Sequence, residues 1–178
     1  MTAAMRAPPA LLLASLVAGC ATPRVVPAPT PVAAPPPRPT PPPLAADWRD
    51  WPMTAGTWSY TRNARGSAAM FGLAGAPALA ALRCDRDGGR MILSVAGASG
   101  NAMTVRTSSV ARTVPVGGTG GDPAHLAATL TPADPLLDAM AFSRGRFALT
   151  LAGSPPGAAP LVLPAWAEVG RVVEDCRA

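Results

Sequence analysis

"ALAALRCDRDGGRMILSVAG" (78–97) decides the fold. Two short apolar runs, 78–84 and 90–95, flank Asp87 and Gly88, and Asp-Gly between strand-like runs is a hairpin signal. "MILSV" (91–95) and "MTVRT" (103–107) alternate as strands with one wet face do. Working outward, further short runs lie at 56–62, 68–72, 102–107, 112–116, 125–130, 146–151 and 161–163. Turn-rich segments such as "NARG", "AGASGN", "GGTGGDP" and "GSPPGAA" separate them. Short strands punctuated this regularly predict a mainly β (α+β) domain, an antiparallel β-sandwich or barrel-like body. A short helix and a C-terminal helix complete it.

In "TPADPLLDAMAFSRG" (131–145), Asp134 is a good N-cap and Pro135 suits a first helical turn. Leu136, Leu137, Met140 and Ala141 share a face, and Gly145 lies just beyond the end. In "LPAWAEVGRVVEDCRA" (163–178), Pro164 is expected to open the second helix. Trp166, Val169, Val173 and Cys176 form its apolar stripe, with Glu168, Arg171, Glu174 and Asp175 facing water. Acids late in a helix oppose its dipole, so its last turn needs another hold, expected to be covalent.

The chain has 178 residues, enough for one ordinary domain. All 15 basic residues are arginine, and from residue 45 onward 12 arginines face ten acids, so the folded part is nearly neutral. The arginines are scattered and aromatics are few, which argues against a nucleic-acid partner.

The N-terminus reads as a targeting segment: Arg6, an apolar run at 10–17, then small residues before a cleavage point. The run is shorter than the roughly 20 residues that span a bilayer. "LVAGC" (16–20) resembles the lipobox of bacterial lipoproteins. That resemblance implies cleavage before Cys20 and a lipidated, palmitate-bearing Cys20 as the mature first residue. By the same resemblance, Ala21 in place of the Asp that retains such lipoproteins at the inner membrane implies outer-membrane residence facing the periplasm, with the inner membrane as the alternative. Residues 21–43 contain 11 prolines among 23 residues, which neither helix nor central strand accepts. They read as an extended tether, with docking to a proline-binding module as the other use of "PPRPTPPP". The expected organisation is a signal peptide at 1–19, lipidated Cys20 and tether through 45, and one β-rich domain at 46–178.

With Cys20 given to lipid, Cys84 and Cys176 form an even pair in an oxidising compartment, and a structural disulfide is expected. A redox pair would show CxxC spacing, and a metal site would need more ligands than His125, the only histidine.

Motifs for chemistry are sparse. Ser108, Ser109 and Ser143 are possible partners for His125, but no nucleophile elbow surrounds them. "CDRDGG" resembles a calcium loop through Asp85, Asp87 and Gly88 but lacks the third acid and the later Glu. "GGTGG" (117–121) has no following Lys-Ser/Thr and reads as a flexible loop, so no cofactor is expected. "FSRGRF" sets Arg144 and Arg146 around a glycine turn, to meet an anionic partner or to pair with Asp138 and Glu174.

Residues 58–176 resemble secreted β-domains of the invasion-associated locus B type. The shared features are the early Trp strand, "ALRC", "MTVRTS", "SRGRFALTL" and the closing helix with its terminal cysteine. That resemblance implies a non-enzymatic envelope protein. "CDRDGGRMILSV" is similar to a segment of lipoprotein inhibitors of lysozyme, although their Ser-Gly-x-x-Tyr loop is absent. The expected function is a lipid-anchored, periplasm-facing binding or structural module with an envelope protein or peptidoglycan as partner. The alternatives are a lysozyme-inhibitor type protein or a small hydrolase.

Overall fold

Phe71, Leu82 and Leu93 are fully buried, while their chain neighbours Met70, Arg83 and Ile92 face outward. That period-two pattern sets the architecture of the computed structural model, which describes residues 44–178 except 98, 121 and 155–157. The expected signal peptide, Cys20 and all but the last residues of the tether lie outside the described residues.

The larger sheet contains β1 (Thr57–Asn63), β2 (Gly66–Gly72), β3 (Ala80–Asp85), β4 (Arg90–Ala96), β7 (Gly117–Gly118) and β8 (His125–Leu130), in the order β1-β2-β3-β4-β8-β7. The smaller contains β5 (Ala102–Arg106), β6 (Ala111–Pro115), β9 (Arg146–Ala152) and β10 (Leu161–Pro164), in the order β10-β9-β5-β6. Every pairing is antiparallel. The nine runs read from the sequence all appear as strands, with ends shifted by a residue or two.

The tenth strand is a correction. Gly117 and Gly118, expected in a loop, pair with Ala127 and Leu126 of β8. Only Val116 separates β6, in the smaller sheet, from β7, in the larger, so one continuous run seams the two sheets together. Across the core Trp58 lies 5.3 Å from Phe71 and 6.4 Å from Phe147, ring centre to ring centre, linking both inner faces. Its indole N–H donates to the Pro164 carbonyl at 2.8 Å, so this buried donor is satisfied.

Helix α1 (Pro135–Ala141) starts as the sequence predicts: the Asp134 side chain accepts the Leu136 N–H at 2.9 Å. Arg112 pairs with the same carboxylate at 2.7 Å and holds it below the usual carboxylate range, with the Leu136 N–H contributing. Helix α2 (Ala167–Arg177) starts later than expected. Pro164 ends β10 instead, where its carbonyl serves Trp58. The buried stripe is accordingly Val169, Val172 and Val173, while Trp166 is 46% exposed. Helix α2 lies on β2 and β3 and against α1, where Gly170 sits close to Ala141.

The segment before β1 forms a strap. It contains a short 3-10 turn, Trp48–Asp50, and exchanges two hydrogen bonds with the outer edge of β10. The Thr54 N–H donates to the Val162 carbonyl and the Val162 N–H donates to Thr54 Oγ1, both at 2.9 Å. Arg146 donates to the carbonyls of Arg49 at 2.9 Å and Trp51 at 3.1 Å. Val162 and its register partner Ala148 are fully buried, as they would not be on a bare outer face. Among the described residues no helix is long and apolar enough to cross a membrane.

Candidate functional site

Inward-facing Leu82 and Cys84 force Arg83, between them on β3, onto the outer face of the larger sheet. The register sets Thr61, Ala68, Arg83 and Ile92 side by side across β1 to β4. Ala68 is too short to fill its place. An open cavity of about 540 Å³ results, floored by Ala68, Met70 and Ile92 and rimmed by Thr61, Asn63, Arg65, Arg83 and Arg90.

The charges in this groove are unequal. Asp85 accepts the Gly88 N–H at 3.1 Å and Arg90 Nε at 2.7 Å, and these bonds hold its carboxyl below the usual range. Arg90 is thereby occupied. Arg65 and Arg83 form no ion pair among the described residues. Two guanidinium groups beside an apolar floor suit a flat anion, a carboxylate or a phosphate ester, which accepts forked hydrogen bonds. Arg65 is set by a turn in which its own N–H donates to Asn63 Oδ1 at 2.9 Å.

Behind the groove, the other face of the same strands is tied to α2. Cys84 and Cys176 are joined by a disulfide with a Cα–Cα distance of 5.4 Å across 92 residues. Asp175, expected to face water, instead has a side chain only 12% exposed. Tyr60 Oη donates to it at 2.5 Å, and Arg62 lies 3.3 Å away. The Tyr60 bond is the main reason its carboxyl lies below the usual range, with Arg62 and Arg86 adding to the effect against partial burial. The same bond raises the Tyr60 hydroxyl above its ordinary value. This cluster, besides the disulfide, stabilises an acid at the unfavourable end of a helix. Gly66 permits the close packing here. It has φ +143°, and a Cβ on it would stand 2.1 Å from the Cys84 carbonyl oxygen.

The other residues singled out from the sequence are dispersed. His125 is held by the backbone: Nδ1 lies 2.9 Å from the Pro123 carbonyl and Nε2 lies 3.1 Å from that of Ala78. Ser143 Oγ donates to the Arg146 carbonyl and accepts the Ser108 N–H, and Ser108 Oγ accepts the Arg144 N–H. Ser109 bonds within its own turn. No hydrogen bond links His125 to any of these serines. Asp87 and Gly88 lie in the β3–β4 hairpin turn, as the Asp-Gly signal implied, and Asp85 is the last residue of β3. Among the described residues no three His, Cys, Asp or Glu side chains gather as metal ligands.

Arg144 and Arg146 have separate surroundings. Arg146 holds the strap carbonyls and pairs with no acid, while Asp138 is taken by Arg177 at 2.7 Å. The expected pairing of Arg144 and Arg146 with Asp138 and Glu174 does not occur among the described residues. The strap intervenes for Arg146, and the end of α2 brings Arg177 to Asp138 first.

Sequence reasoning missed the Arg65–Arg83 groove, though half its signal was present. A cysteine pointing inward on "ALRC" sends the preceding arginine outward. That Ala68 and Ile92 would stand beside it depends on register between strands, which local sequence does not carry. No family model, curated protein or solved structure matches this chain.

Proposed function

We propose that this protein is a lipid-anchored, periplasm-facing envelope protein, held in the outer membrane through Cys20, whose β-domain is a non-enzymatic binding module. The ligand surface in this reading is the Arg83 groove, and the ligand is an anionic group of an envelope protein or of peptidoglycan. The observation that carries the binding role is the pair of unmatched guanidinium groups, Arg65 and Arg83, beside the floor of Ala68, Met70 and Ile92. The anchor rests on "LVAGC" (16–20) followed by the proline-rich stretch. Two or more acyl chains hold a protein stably on a membrane, each buried CH₂ contributing about 0.8 kcal/mol. A disulfide between Cys84 and Cys176 agrees with an oxidising compartment.

The hydrolase alternative would need His125 beside a nucleophile, whereas its ring nitrogens face two carbonyls. A lysozyme-inhibitor role rests on the similarity of "CDRDGGRMILSV" (84–95) alone and lacks the Ser-Gly-x-x-Tyr loop.

Two arms of one experiment in intact cells test the proposal. Wild-type protein is expected to take up labelled palmitate and the Cys20→Ser variant to take up none. A photo-crosslinking residue replacing Met70 should give an envelope adduct that Arg83→Glu abolishes. Labelling that persists without Cys20 sinks the anchor, and an adduct indifferent to Arg83→Glu sinks the groove.

A further inference from the structure

Three chain junctions meet at one corner of the domain: the turn after β5, the turn between α1 and β9, and the step from β10 into α2. The Ser108 N–H donates to Ser143 Oγ at 2.9 Å, the Arg144 N–H to Ser108 Oγ at 3.1 Å, and the Ala165 N–H to the Gly145 carbonyl at 3.2 Å. The backbone is therefore pinned, yet the side chains it presents are apolar and open to solvent. Phe142 is 80% exposed, Trp166 46%, Met53 41% and Val110 39%. Arg144 separates two shallow depressions, one shared with Met53 and Trp166 and the other with Phe142.

We propose that this corner docks on an anionic phospholipid leaflet, with Phe142 and Trp166 entering the headgroup region and Arg144 meeting lipid phosphates. Large side chains standing separately on turns, with only shallow depressions between them, match a soft planar interface better than a shaped partner. Tryptophan favours the membrane–water boundary, and arginine reaches phosphates while its stem stays in apolar surroundings. The charge is complementary. The depressions at this corner and beneath the neighbouring strap are lined by Arg49, Arg106, Arg144 and Arg146 against Asp47 and Asp138. Both aspartates are matched by arginine, Asp47 by Arg49 and Asp138 by Arg177. Asp134, paired with Arg112 at 2.7 Å, and Asp50 and Glu168 are the remaining acids nearby in sequence.

The start of the described chain lies at the same corner. Trp51 donates through its indole to the Ala45 carbonyl at 2.8 Å, and its own carbonyl accepts from Arg146. The inference deepens the anchor reading and rests on it for its biological meaning: acyl chains are one membrane signal and this corner is a second.

The test uses residues 20–178 carrying Cys20→Ser, so that no acyl chain or signal segment contributes. The protein is mixed at low salt with vesicles of phosphatidylglycerol and phosphatidylethanolamine, or of phosphatidylcholine alone. Sedimentation with the anionic vesicles is expected, falling at least fivefold for Phe142→Ser combined with Trp166→Ser and at least fivefold for Arg144→Glu. Phosphatidylcholine should bind little, and tryptophan emission should shift to the blue on anionic vesicles except in Trp166→Phe. Urea midpoints check that each variant is folded. No sedimentation, or sedimentation unchanged in the folded variants, overturns the proposal. So does a concentration-dependent dimer that Phe142→Ser dissolves, which would assign the corner to a second copy. Failure of palmitate labelling with vesicle binding intact removes the anchor and leaves the docking surface. The converse result removes the docking surface alone.

Discussion

Replacing both Cys84 and Cys176 by alanine should weaken the domain heavily without unfolding helix α2. The bridge spans 92 residues. In the chain-entropy account, freeing such a loop in the unfolded state costs the native state about 4–5 kcal/mol. For a unit of roughly 135 residues, unfolding entropy near 2.1 cal/mol/K per residue converts that loss into a fall in Tm of about 15 °C. Helix α2 should nevertheless stay docked, because Val169, Val172 and Val173 are buried to 2% exposure or less. Each contributes about 1.5 kcal/mol or more through that burial. Urea titration followed by far-ultraviolet circular dichroism reads both quantities. The expected result is an unfolding free energy lowered by several kcal/mol with an unchanged helical signal before the transition. The urea slope should rise, because the uncrosslinked unfolded chain exposes more surface. A loss below about 1 kcal/mol would refute the loop argument. Disappearance of the helical signal in buffer would refute the claim that packing holds α2.

Two further perturbations probe the same end of the sandwich. Asp175→Asn removes the ion pair with Arg62 and weakens the Tyr60 bond at a side chain 12% exposed, for an expected loss of about 1–2 kcal/mol at pH 7 in urea titration. Because the folded carboxyl lies below its ordinary value, its contribution is complete above the unfolded value near 4 and declines as pH falls through the folded one. Wild type and Asp175→Asn should therefore converge in stability at acid pH, and parallel curves would refute the linkage. Gly66→Ala, which sets a Cβ 2.1 Å from the Cys84 carbonyl oxygen at φ +143°, should cost about 2–4 kcal/mol in the same assay. An unchanged midpoint would show that β2 can shift there.

The parts of this protein that depend on neighbouring residues were readable from its sequence, and those that depend on distant ones were not. The nine strand runs, the Asp-Gly hairpin and the Asp134 cap are local devices. Pro164 misled because proline suits both a helix start and the end of an edge strand; the choice is made by Trp58, 106 residues away. Asp175 read as a wet acid because Tyr60, its partner, lies 115 residues earlier. Of the arginines suspected of binding, Arg146 is taken up by the strap, a segment whose fold no pattern announced. The Arg83 groove needed the alignment of four strands before it existed at all.

The strap has a consequence for handling the protein. Strand β10 borders the smaller sheet, and an open strand border is a template on which other chains add. Thr54 occupies the outward amide and carbonyl of Val162, so this border is closed by the chain's own leading segment. A fragment trimmed to begin at Gly56 would retain both sheets and the disulfide, yet offer β10 to its neighbours in solution. Where the domain is cut thus decides whether the border of β10 stays covered or the domain moves toward fibrillar or swapped assemblies.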